Sequence, residues 1–201
     1  MLRHRGPLLV LLLSCAACGT PIGQTDSFVS EPVANAKRDV LSTQLTVDLQ
    51  SRRATAIIEV DKSTRRGASF EVAGLTIDSV RSPTRALPYV VEDGRLDIGI
   101  DARKPATLIV DYQFEFQSKM DGALASGATF LWPYYCGNLF PCKSGPADGL
   151  TFTLELSGVA DDAVAIFPKQ IIGDAPSYQL AWSVGEYTSV ELGVTDVGRR
   201  V

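Results

Sequence analysis

The chain has 201 residues, 45% of them hydrophobic and 21% charged, with a formal net charge of −4. That length and balance describe one globular domain able to bury a core, and they exclude intrinsic disorder. The acidic sign, which deepens once Arg3 and Arg5 leave with a leader, excludes the basic footprint of a nucleic-acid-binding protein, so no nucleic-acid partner is expected.

Residues 1–18 read as a lipoprotein-type export signal. Arg3, His4 and Arg5 give a positive start, and Leu8–Leu13 is an apolar run too short to span a membrane. Leu12-Leu13-Ser14-Cys15 has the form of a bacterial lipoprotein box, with Cys15 as the acylated residue and Cys18, between Ala17 and Gly19, as its rival. A plain secretory signal with incidental cysteines is the alternative. Lipidation would anchor the chain on a membrane facing the periplasm or the cell surface, without a spanning helix. Residues 19–37 are rich in Gly, Pro, Ser, Thr, Asn and Gln with no sustained period, the composition of a tether. The domain proper is placed at 38–201.

From there the chain reads as strands. Gln44–Gln50 alternates Leu45, Val47 and Leu49 with polar residues, and Ala54–Val60 is its partner across Ser51-Arg52-Arg53. Asp61–Gly67 is a solvated loop. Ser69–Ala73 and Leu75–Val80 follow, then a turn around Pro83 and Pro88. Tyr89–Glu92 and Arg95–Ile100 flank Asp93-Gly94, a hairpin signal because glycine accepts the positive φ of the turn. Ala106–Gln117 is the longest strand, with Leu108, Val110, Tyr112, Phe114 and Phe116 at a period of two. Leu150–Leu156, Ala163–Phe167, Ser177–Ser183 and Val190–Val194 complete the series. No stretch carries a helical apolar stripe of ordinary length. The expected fold is all-β: an antiparallel β-sandwich or a curved, saddle-like sheet.

The chemistry-bearing residues are few. The one histidine, His4, lies in the signal, so neither a Ser-His-Asp triad around Ser144 nor a His-Glu-x-x-His zinc site can be assembled in the mature chain. Cys136 and Cys142 supply only two ligands, and no metal, cofactor or catalytic residue is assigned. Asp161-Asp162 reads as a solvated turn, with calcium binding as its rival. The short, turn-rich Gly137–Pro141 segment and an oxidising compartment point to a Cys136–Cys142 disulfide, against the alternative of two buried thiols. Phe130, Trp132, Tyr134 and Tyr135 line a binding groove or plug the core under a long loop; both readings stand.

Phe140-Pro141-Cys142, Pro146-Ala147 and the following Thr-Phe-Thr-Leu strand resemble the Phe-Pro-Cys-x-Asp-Glu-Pro signature in the N-terminal β domain of the aminopeptidase N family of zinc metallopeptidases. Tyr178–Tyr187, ending Val184-Gly185-Glu186-Tyr187, resembles a further segment of that domain, and the matching stretches occur in the family's order over about 39–201. The resemblance implies a β-rich domain that packs beside a catalytic one. It departs at three places: Phe130 stands in place of a glutamine that in the family helps hold the substrate's free amine, Trp132 in place of an acidic residue, and Ser144-Gly145 in place of Asp-Glu. Phenylalanine offers no acceptor for a cationic amine. The sequence stops about where the family passes into its catalytic domain. The reading is a non-catalytic, membrane-anchored binding or accessory lipoprotein with a protein or peptide partner, and not an enzyme by itself. The alternative is the N-terminal half of a split or truncated zinc aminopeptidase that acts with a separately encoded catalytic subunit. In either case the aromatic loop is expected either to dock a separate protein or to mediate self-association, because Trp and Tyr dominate such surfaces.

Overall fold

The computed structural model describes residues 29–119, 121–124, 128–130, 133–143, 151–158, 164–168, 170–171, 181–185 and 197–200. These form β1 (Val40–Asp48), β2 (Arg53–Val60), β3 (Ala68–Glu71), β4 (Leu75–Arg81), β5 (Tyr89–Glu92), β6 (Arg95–Ile98), β7 (Ala106–Phe114) and β8 (Ala128–Phe130), then a 3₁₀ turn at Pro133–Asn138. After it come β9 (Thr151–Ser157), β10 (Val164–Pro168), β11 (Gln170–Ile171), β12 (Ala181–Gly185) and β13 (Val197–Arg200). The 3₁₀ turn is the one helical element among the described residues. The strand expected at Val190–Val194 lies outside them.

Alternation along the strands builds the main sheet, ordered β11-β9-β1-β2-β7-β4. The registers align Leu154, Leu45, Ala56, Val110 and Val80 in one row across five strands, and Leu156, Val47, Ala54, Tyr112 and Ile77 in the next. A three-stranded sheet, β3-β6-β5, brings Ala68, Phe70, Leu96 and Ile98 into the same buried cluster. The result is a sandwich-like core between the two sheets, built from inward residues two apart. A further sheet, β13-β10-β12-β8, joins the later strands.

The turns follow from local chemistry. Asp48 Oδ1 accepts from the backbone N–H groups of Gln50 and Ser51, both at 2.9 Å, and folds the β1–β2 connection. At the β5–β6 hairpin Asp93 and Gly94 have φ of 50° and 72°, the left-handed pair that a two-residue turn of this hand requires.

Three features differ from the expectation. Pairing is not antiparallel throughout: β9 lies parallel to β1, with Leu45 opposite Leu154. A parallel neighbour needs a long crossover, and the chain from β2 to the 3₁₀ turn provides one. β7 ends at Phe114, because the Gln117 N–H turns away to the Ala123 carbonyl at 2.7 Å. Phe116 is accordingly exposed and meets Phe114 edge-on at 6.0 Å. The third concerns residues 29–37, where Val29 and Asn35 are buried against the domain. Asn35 donates its backbone N–H to Ser69 Oγ at 2.7 Å and its side-chain amide to the Arg65 carbonyl at 3.1 Å.

Candidate functional site

The cysteine loop sits on the end of β3. Cys136 lies in the 3₁₀ turn, and its carbonyl accepts the Leu139 and Phe140 N–H groups at 2.9 and 3.0 Å. Leu139 and Phe140 are buried, so the loop is pinned by an apolar plug as well as by hydrogen bonds. Cys142 and Glu71 exchange backbone hydrogen bonds, with Glu71 N–H to the Cys142 carbonyl at 2.7 Å and Cys142 N–H to the Glu71 carbonyl at 3.3 Å. Gly137 packs flat on β3: a Cβ there would come within 3.0 Å of the Glu71 carbonyl carbon. Cys136 and Cys142 are bonded to each other, with their Cα atoms 6.0 Å apart.

This packing corrects one expectation. The sequence counted two cysteine ligands and excluded a metal site, and with it an enzyme. The fold adds a third donor: a Glu71 carboxylate oxygen and the two Sγ atoms all lie within 4.8 Å of one another. Exclusion of metal chemistry therefore does not stand on these residues. Nothing local marked Glu71 as a partner, since β3 and the cysteine loop meet only through the tertiary fold. The set does not fit the zinc centre of a metallopeptidase, which needs imidazoles one helical turn apart. His4 is the one histidine of the chain. While the sulfurs are bonded to each other they offer no thiolate.

Two further polar clusters are built into the domain. On β6, Asp97 is buried and accepts from Ser69 Oγ at 2.6 Å and from Arg95 Nε at 3.0 Å. Burial pushes its carboxyl up, but the hydrogen bonds from Arg95 and Ser69, with the Arg95 charge, outweigh burial and hold it below its ordinary value. Ser69 Oγ donates to Asp97 and accepts from Asn35, which makes it a brace between strand and N-terminal segment. The second cluster lies on the outer face of the main sheet, where Glu155, Thr46, Thr55, Asp111 and Ser79 form a polar row. Asp111 accepts from Thr55 Oγ1 and Ser79 Oγ, both at 2.8 Å, at the floor of an open groove of about 670 Å³.

Of the residues singled out from sequence, Cys136 and Cys142 meet in the disulfide. Phe130 ends β8, its backbone opposite Ala181, and Tyr134 and Tyr135 lie in the 3₁₀ turn. The side chains of those three, and the whole of Trp132, lie outside the described residues, as do Cys15, Cys18, Ser144 and Asp161-Asp162.

The all-β fold is similar to part of several solved M1 zinc metallopeptidases. An M1 zinc metallopeptidase from Deinococcus radiodurans is 16% identical, covers 79% of this chain with 41% of its own, and superposes with a TM-score of 0.54. A two-domain M1 zinc metallopeptidase bound to L-arginine is 15% identical, over 73% of this chain and 38% of its own, with a TM-score of 0.53. Legionella pneumophila aminopeptidase A in complex with aspartic acid gives a TM-score of 0.63 at 15% identity, over 76% of this chain and 22% of its own. The chain thus spans well under half the length of these proteins, and at such identities the likeness is one of fold. No protein-family profile matches the chain, and no curated protein matches it in sequence.

Proposed function

We propose that the chain is a membrane-anchored binding or accessory lipoprotein that uses the β domain of M1 metallopeptidases as a docking module. The observation that carries this reading is the fold match, which takes in 73–79% of this chain and aligns it with part of M1 zinc metallopeptidases. The loop from Phe130 to Tyr135 supports it as well: in the family that the sequence resembles, this loop faces the catalytic domain, and here it is richer in aromatics. A lipid on Cys15, with Cys18 as the rival acceptor, would hold the module at the periplasmic or outer surface of a bacterial membrane.

A second reading rests on the same fold match. The chain would supply the N-terminal half of a zinc aminopeptidase whose catalytic half is a separate polypeptide. Reconstitution with an M1-type catalytic domain tests the docking role. The two should form a stable complex, and hydrolysis of aminoacyl anilides that a chelator abolishes should appear or rise on mixing if the split enzyme is correct. Trp132→Ala and Tyr135→Ala should weaken the complex while leaving the melting temperature of the chain in place. If no complex forms and both substitutions lower the melting temperature sharply, the aromatics are core and the docking reading is wrong.

A further inference from the structure

One end of the main sheet gathers positive charge in a chain that is acidic as a whole. β1 and β7 begin there and β2 and β4 finish there, because Val40 pairs with Val60, Val60 with Ala106 and Arg81 with Ile109. Residues 29–39, 61–67, 82–88 and 99–105 therefore meet at that end. They are fastened to one another. The buried Arg38 guanidinium holds the Asp61, Asp101 and Lys104 carbonyls. Ser63 N–H donates to the Ala102 carbonyl at 2.7 Å, Gly99 N–H to the Pro88 carbonyl at 2.8 Å, and the Asn35 amide to the Arg65 carbonyl at 3.1 Å. An open cleft of about 290 Å³ has Arg85 on one side and Lys104 on the other.

The charges on these four segments are unequal. Lys37 is exposed on the first, Lys62, Arg65 and Arg66 on the second, Arg85 on the third, and Arg103 and Lys104 on the fourth. With buried Arg38 that makes eight cations, against the four acids Glu31, Asp39, Asp61 and Asp101. Two of those acids also cap their own loops: Asp61 Oδ1 accepts the Lys62 N–H at 2.7 Å and Asp101 Oδ1 the Arg103 N–H at 3.0 Å. The end thus carries four net positive charges, while the whole chain has a formal net charge of −4. Gathering like charges on one face costs repulsion, which an anionic surface would offset.

We infer that this end is a docking face for a bilayer of anionic phospholipid, an inference that rests on the membrane-anchored reading above. The course of the chain favours a membrane over other anions. Residues 29–39 form part of the basic end, so the chain leading from Cys15 or Cys18 enters on that side. Val29 lies 14 residues beyond Cys15, at most about 50 Å of extended chain. A lipid on either cysteine would hold the basic face close to the headgroups, where an acyl chain and a polybasic patch act together as two signals. The face would seat the domain with β1, β2, β4 and β7 running away from the bilayer and the β1–β2 turn at the far end.

The test uses the full chain with Cys15→Ser and Cys18→Ser, which carries no acyl group whichever cysteine is the acceptor, so its outcome is separate from that of lipid labelling. Sedimentation is measured with vesicles of phosphatidylcholine alone and of phosphatidylcholine mixed with phosphatidylglycerol. The chain should prefer the phosphatidylglycerol vesicles and leave them in about 0.5 M salt, where charges are screened within a few ångströms. Each Lys or Arg near an anionic surface contributes about fivefold to binding. Lys62→Ser, Arg65→Ser and Arg66→Ser together should weaken it on the order of 100-fold, and Arg103→Ser with Lys104→Ser on the order of 25-fold. If one of these variants melts early, the other decides. Arg52→Ser with Arg53→Ser should leave binding unchanged, since the eight residues of β2 put Arg53 roughly 20–25 Å from the basic end, beyond the screening length of about 10 Å at 0.1 M salt. The proposal is overturned by equal binding to both vesicles, by binding that survives the salt, by folded loop variants that bind like the parent, or by an equal loss in the Arg52 and Arg53 variant. Retention on heparin without capture by the phosphatidylglycerol vesicles would also overturn it, in favour of a soluble polyanion.

Discussion

A guanidinium with no water around it must find carbonyls, and Arg38 finds three. Its Nε donates to the Asp61 carbonyl at 2.7 Å, and its two terminal nitrogens donate to the carbonyls of Asp101 and Lys104, each at 2.6 Å. Burial lowers its pKa, against the opposing charges of Asp101 and Asp61, yet an arginine keeps its proton. The side chain thus ties the loop after β2 to the loop before β7. Arg38→Met should leave three carbonyls short of a donor and cost about 2–4 kcal/mol in urea unfolding, since hydrogen bonds to charged groups are the stronger kind. Asp97 makes a different prediction. Its folded pKa lies below its unfolded value, so its contribution is fully present above the ordinary carboxylate range, near about 3.9, and is lost as the pH falls through the lower folded value. Asp97→Asn should therefore be least stable relative to the parent at neutral pH. The gap between the two should narrow on acidification, which melting curves from neutral to strongly acid pH would show.

At the scale of elements, the strands that were legible are those whose outer face meets water. β1 and β2 alternate because one face is core and the other solvent, and Asp93-Gly94 marks its hairpin through backbone chemistry alone. The end of β7 was not legible: Phe116 continues the period, but the chain there pairs with Ala123 instead of a neighbouring strand. The cysteine loop was half legible. Its ring is short, with a sequence separation of 6, and loop-closure entropy assigns it roughly 2–2.5 kcal/mol. Cys136→Ser together with Cys142→Ser should lower stability by about that amount in denaturant unfolding and still leave a folded domain. Complete unfolding would mean that the bridge, and not the plug of Leu139 and Phe140, holds the loop on β3.

On the scale of the whole molecule, one sandwich-like core carries a polar row on the outer face of the main sheet and takes in the buried cysteine loop at the end of β3. A lipid anchor ahead of residue 29 would fix which surfaces can reach a partner on a membrane. In cells fed a radioactive fatty acid, the chain should carry label and partition with the membranes, and Cys15→Ser should abolish both. Persistent labelling of Cys15→Ser would transfer the role to Cys18, and an unlabelled, freely soluble parent chain would remove the anchor from the proposed function.

Taken by itself, the sequence determined the all-β class, because a period of two is written in near neighbours and any half-buried strand must show it. It also determined the β5–β6 hairpin, where the Asp93-Gly94 pair acts on its own backbone. Only the tertiary structure decided that β9 lies parallel to β1 and that Glu71 stands beside Cys136 and Cys142. Both depend on which strands end up side by side, a choice made by burial of a shared core across long stretches of chain, and such a choice leaves no mark on the residues adjacent in sequence.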